Sequence, residues 1–182
     1  MNRIDLSSKL VFNEGDLTNP SVVVESLLSQ IKDETNGMVF GQIGTYEGDI
    51  DSYTIPSLSA QIGIVLGDGR KKVDVQKELG ELNKETQKFE VFLCTPVFEQ
   101  YKYRICFIEF GISNYPVKVV LEQNISDEIN KEENKNGYIY SCENRSELEE
   151  LISRIICSKK VISVMQEIIK IYYIHKDDST TE

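Results

Sequence analysis

The sequence predicts an α+β fold: an antiparallel sheet of five to six strands, with an N-terminal helix and a C-terminal helix pair packed on it. Three observations carry this. Residues 89–121 form three consecutive apolar runs of strand length separated by turn residues. Residues 146–172 carry two apolar stripes at helical spacing, and a third stripe follows Pro20.

The elements follow in order. Asn19 suits a helix cap and Pro20 the first helical position, after which Val24, Leu27, Leu28 and Ile31 share one face. Asn36-Gly37 ends that helix. MVFGQIGTY, from Met38, is a strand weakened by Gly41 and Gly44. EGDIDS is a turn, and Ser57 to Leu66 a second strand. Gly67-Asp68-Gly69 is a tight turn, because Asp-Gly suits a hairpin. Residues 70–88 fit both strand alternation and a helical face, which gives a short strand followed by a short helix.

Phe89 to Phe98 is the next strand, Glu99-Gln100 a tight turn, and Tyr101 to Ile112 a strand returning beside it. Ser113 to Pro116 turns the chain again into a strand from Val117 to Leu121. In the middle strand Tyr103, Ile105 and Phe107 alternate with Cys106, Ile108 and Phe110, so both faces are apolar. A half-exposed antiparallel strand should alternate apolar with polar, so this one is predicted to be central and covered on both sides. If every helix packs on one face, the other face needs a partner chain. The core is expected at Leu93, Ile105, Phe107, Ile108, Val119 and Leu121. Residues 123–136 read as a long loop or frayed helix, and Tyr138 to Cys142 as a short strand. Ser146-Glu147-Leu148-Glu149 has the pattern of a capping box, opening a helix striped by Leu148, Leu151, Ile152, Ile155 and Ile156. Ser158 caps a second helix striped by Val161, Ile162, Met165, Ile168, Ile169 and Tyr172. Residues 1–174 are expected to form one domain and 175–182 a flexible tail.

The chain has 182 residues, 40% of them hydrophobic and 27% charged, enough for one domain with its own core. It has no apolar run of membrane-spanning length and no apolar start of signal-peptide type, which predicts a soluble, cytoplasmic protein. Cys94, Cys106, Cys142 and Cys157 form no CxxC pair, so reduced thiols are expected and a local zinc site is not supported. Cys94 and Cys106 would lie opposite each other if the loop near Gln100 had the right length. Net charge is −10, and residues 122–150 hold nine acids against three bases. Such a balance repels nucleic acid and anionic membranes and favours a protein partner or self-association, with Glu128, Glu132 and Glu133 as candidate contacts.

Catalytic chemistry finds little support. The sole histidine, His175, lies in the expected tail, so nucleophilic catalysis with a histidine base is disfavoured. Glu47, Asp49 and Asp51 follow a strand and supply hard oxygens that suit a divalent cation, although an ordinary solvated turn has the same composition. Gly63, Gly67 and Gly69 precede Arg70, Lys71 and Lys72 but match neither the P-loop nor the dinucleotide fingerprint. Glu109, set among apolar residues, needs a Lys or Arg partner. Seven of the sixteen aromatic residues fall between Phe89 and Phe110. They could stack bases, but the acidic balance favours core packing. No cofactor is predicted.

The runs YKYRICFIEFGISNYPVKV, YIYSCENRSELEELI and SKKVISVMQEII together resemble a family of uncharacterised bacterial proteins over the C-terminal half of the chain. The resemblance implies no activity and no site residue. The expected function is a non-enzymatic interaction module of immunity, antitoxin or defence-accessory type. The alternative is a metal-dependent hydrolase or small-ligand-binding protein using Glu47, Asp49 and Asp51.

Overall fold

A computed structural model describes residues 13–48, 50, 86–133 and 137–176. Helix α1 runs from Pro20 to Glu34, and the Asn19 side chain accepts a hydrogen bond from the Ser21 N–H at 2.9 Å. Asn36 and Gly37 then take φ of 50° and 74°, and the Gly37 N–H returns to the Lys32 carbonyl. Only glycine, and less readily asparagine, adopts that backbone cheaply, so the Asn-Gly pair stops the helix where expected.

Five strands follow: β1 Phe40–Thr45, β2 Gln87–Thr95, β3 Phe98–Phe110, β4 Val117–Leu121 and β5 Ile139–Cys142. They form one sheet in sequence order, each neighbour pair antiparallel. The strand expected at Ser57 to Leu66, the Gly67 turn and most of residues 70–88 lie outside the described residues. The β2–β3 turn sits at Pro96-Val97, not at Glu99-Gln100, because Thr95 pairs with Phe98. Proline has no N–H to give to a ladder, and its fixed φ suits the turn.

The doubly apolar middle strand has a local cause. Val91 pairs with Cys106, but Phe92 pairs with Arg104, so Ile105 is an extra residue in β3. This bulge reverses the inward parity. Tyr103 and Ile105 face the helices on one side of it, and Cys106, Ile108 and Phe110 do so on the other. Both sequence alternations are thus inward, each over its own half of the strand. Five of the six expected core residues are buried; Phe107 is the exception, half-exposed on the opposite face. Cys94 and Cys106 are not opposed, because Cys106 lies across from Val91 and Cys94 from Phe40.

Residues 123–133 form a helix, α2, the helical one of the two alternatives expected. Its apolar anchors Ile125 and Ile129 are buried, and the Glu122 carboxylate accepts from the N–H groups of Asn124 and Ile125 at 2.9 and 3.1 Å. Helix α3 spans Arg145–Ile156 and α4 spans Lys159–His175. The capping box of α3 lies two residues before the expected one. Asn144 accepts from the Glu147 N–H at 3.0 Å, and Glu147 accepts from the Glu143 N–H at 2.8 Å. Ser158 caps α4 as expected, accepting from the Val161 N–H. The helix takes in His175, whose ring stacks on Phe98.

The four α-helices among the described residues pack on the same face of the sheet. The buried cluster joins Val24 and Leu28 of α1, Ile125 of α2, Ile152 of α3 and Ile168 of α4 to Leu93, Ile108 and Val119. Helix α1 lies so close to β1 that a methyl group on Gly41 would meet Leu28 Cβ at 2.9 Å.

Candidate functional site

The face of the sheet turned away from the helices carries the most distinctive chemistry. Its register follows from the pairings: Glu90 and Phe92 of β2 stand beside Phe107 and Arg104 of β3, and Glu109 stands beside Lys118 of β4. Arg104 Nε donates to Glu90 Oε2 at 2.8 Å, and a terminal guanidinium nitrogen donates to the same oxygen. The guanidinium lies 4.8 Å from the Phe107 ring centre and 5.6 Å from that of Tyr46, and those rings stand 4.7 Å apart. Lys102 lies 4.5 Å over Phe92, and Lys118 reaches Glu109 at 3.4 Å, which supplies the partner that Glu109 needs. With Lys88, whose ammonium donates to the Gly48 carbonyl, the face holds four cations against two carboxylates among the described residues. In a chain of net charge −10 this is a local reversal of sign. The Arg104 side chain is 49% exposed, so its open edge meets solvent while its plane is held by a carboxylate and two rings.

Of the residues expected to hold a cation, Glu47 lies exposed just past β1, and Asp49 and Asp51 lie outside the described residues. Among the described residues no group of three His, Cys, Asp or Glu is placed to hold a metal ion. Of the acids expected to meet a partner, Glu128 has a local contact in the structure. Both oxygens of Glu128 accept from the Lys159 N–H at 3.0 Å, so this α2 carboxylate sits on the first turn of α4. Asp16 does the same for α3, accepting from the Arg145 N–H at 2.9 Å. Glu122 caps α2 and Glu147 caps α3, as described above. Glu132 and Glu133 close α2; their side chains lie outside the described residues. Three of the nine acids of residues 122–150 thus stand at helix starts, where carboxylates complement the helix dipole.

Two clefts are lined by described residues. One, of about 290 Å³, lies between α1, α3 and α4 and is lined by Leu27, Ile31, Ile156, Cys157, Ile162 and Met165. The other, of about 250 Å³, lies between β5 and α3 and is polar, with Tyr140, Cys142, Glu147, Glu150, Leu151 and Arg154 along it. Burial pushes the Cys142 thiol up to about 12, with Glu147 and Glu143 adding to the effect, so its sulfur is neutral there. Burial likewise raises Tyr115 to about 12, reinforced by Asp16, and its hydroxyl is buried without a partner among the described residues.

Sequence reasoning missed the Arg104 face. The available signal was the adjacent apolar pair Ile105-Cys106, a break in period-2 alternation that a bulge explains. The comparisons with known proteins add nothing to this geometry: no protein family, curated protein or solved structure matches the chain. No helix among the described residues is long and apolar enough to cross a membrane.

Proposed function

We propose that this chain is a non-enzymatic protein-interaction module, which acts in the cytoplasm by holding a protein partner, as immunity, antitoxin or defence-accessory proteins do. One observation carries the reading. The described helices share one face of the sheet, and the other face presents Arg104, ordered by Glu90, Tyr46 and Phe107. Arginine and aromatic side chains dominate the binding energy of protein interfaces, because they combine large contact area with directional polar groups. Holding them on paired strands removes part of the ordering cost of association. The net charge disfavours nucleic acid and anionic membranes as partners. Nothing about Glu47 adds to the sequence argument for a hydrolase.

The test is quantitative capture from the source cells with tagged wild-type chain and an Arg104→Ala variant. A partner held in stoichiometric amount by the wild type, and lost in the variant, supports the proposal. An interface anchor of this kind is worth about 2 kcal/mol or more, roughly 30-fold in affinity. Equal capture by both would remove the face from the account, and a monomer that captures nothing would sink the interaction reading.

A further inference from the structure

We infer that β5 is a receptor strand: it takes an extended segment of a partner protein as an added strand, and the cleft beside it selects a basic side chain on that segment. The inference deepens the interaction reading and rests on it for the existence of a partner, but not on the Arg104 face.

Hydrogen-bond parity fixes which backbone groups of β5 face away from the sheet. In an antiparallel pair, residues alternate between pointing their N–H and C=O groups at the neighbouring strand and pointing them away. The Leu121 N–H donates to the Tyr138 carbonyl at 2.9 Å, which continues the β4–β5 register by one pair. Tyr138, Tyr140 and Cys142 therefore turn their backbone groups toward β4, and Ile139 and Ser141 turn theirs outward. The other side of β4 agrees: the Glu122 N–H donates to the Ile105 carbonyl, which assigns Lys118 and Val120 to β3 and leaves Val117, Val119 and Leu121 for β5. Among the described residues, β5 has one strand neighbour, and no hydrogen bond ends on the outward groups of Ile139 or Ser141.

An edge of this kind pairs readily unless a protein blocks it with lysine, proline or a bulge. The sequence IYSC has none of these, and Ile139 is 38% exposed. The segment that fits is short, since β5 has four residues. Side chains of the added strand would alternate. One set would lie over Ser141 and Lys118 on the sheet face away from the helices, and the other would enter the cleft against α3. That cleft presents Glu147 and Glu150 against Arg154, with the neutral Cys142 thiol buried beside them. Two carboxylates against one guanidinium, with Leu151 and Tyr140 beside them, match the ammonium and methylene stem of a lysine, or an arginine. Main-chain bonds would supply affinity and the cleft would supply selection, the division found in strand-addition complexes.

The test uses purified ¹⁵N-labelled full chain and a capped hexapeptide alternating Lys with Val, with a Glu/Val peptide as comparison. Saturating Lys/Val peptide should slow amide exchange of Ile139 and Ser141 by about tenfold or more, and leave Tyr140 and Cys142 unchanged. Ser141→Pro removes one outward N–H, a change that edge strands tolerate, and should abolish this protection. Glu150→Lys, at an exposed position, should weaken peptide binding about 5-fold, the size of a surface charge pair. Arg104→Ala should leave it intact. No protection at Ile139 and Ser141 with millimolar peptide overturns the inference. So does equal binding of the Glu/Val peptide, or loss of protection in Arg104→Ala, which would place the peptide on the sheet face. Protection in the peptide assay alongside an empty cell capture would leave the edge competent and count against the interaction reading alone.

Discussion

Glu128 gives the sharpest contrast between a surface residue and a structural one. Its two carboxylate oxygens both lie 3.0 Å from the Lys159 N–H, the first helical residue of α4. Ser158 serves a different donor, the Val161 N–H. Replacing Glu128 with alanine removes one charge-assisted hydrogen bond and one negative charge from the N-terminus of a 17-residue helix. The bond is solvent-accessible, so its contribution sits at the low end, about 0.5–1 kcal/mol. The dipole interaction adds about 0.3–1 kcal/mol, screened by salt. Together these give about 1 kcal/mol, which for a chain of this size lowers Tm by about 2–4 °C. Glu128→Gln keeps an acceptor and loses the charge, so it should fall about halfway. Asp127→Ala, one residue away and exposed, should change stability by less than about 0.5 kcal/mol. Urea unfolding at low and at 1 M salt measures all three, with the Glu128 difference shrinking as salt rises. If Glu128→Ala unfolds at the same urea concentration as wild type, Glu128 does not anchor α4, and it returns to the surface as a partner contact.

Three further outcomes follow from the packing. Gly41→Ala should lose about 1–2 kcal/mol, because its methyl would stand 2.9 Å from Leu28 Cβ, and relief of that clash exceeds the gain from a stiffer unfolded chain; a urea midpoint equal to or above wild type would show that α1 sits farther from β1. In the native protein a thiol reagent should label Cys157, which is exposed, well before Cys106 and Cys142, which are buried and held neutral; peptide mapping of the labelled chain checks the order. Alkali should destabilise the fold. Burial raises Cys106 and Cys142 from 9.0 to about 12, so above pH 9 the unfolded chain releases protons that the folded chain keeps. The stability they contribute is complete below pH 9 and is lost between pH 9 and 12, each thiol costing about 1.4 kcal/mol per pH unit. A urea midpoint that holds steady from pH 9 to 11 would contradict the burial of those thiols.

The fold was legible where local signals were strong. Pro20, Asn36-Gly37 and Ser158 mark helix ends through backbone chemistry that tertiary contacts rarely override. The apolar stripes of α3 and α4 mark the faces they bury, and the strand meander from β2 to β4 follows from its turns. Two errors share a cause, the competition of equally good local signals. Asn144 and Ser146 both precede a glutamate, and the packing of Leu148 and Leu151 selects the earlier start. Pro96-Val97 and Glu99-Gln100 both allow a turn, and the pairing of Thr95 with Phe98 decides between them. Helix α2 was obscured because only Ile125 and Ile129 anchor it, among polar residues that fit a loop equally well. The site was less legible still. Arg104 meets Glu90 across fourteen residues and a bulge, and no sequence spacing encodes that contact. Glu122, Glu128 and Glu147 stand at the starts of three helices, an arrangement that depends on which helix ends meet in space.

The central claim is that the sheet face opposite the helices meets a protein. The most direct measurement is photo-crosslinking in the source cells, with a photoreactive residue at exposed position 102 on that face and, as control, at exposed position 166 on α4. The account predicts a discrete protein adduct from position 102 and none from position 166. Adducts from position 166 alone, or from neither position, would contradict it.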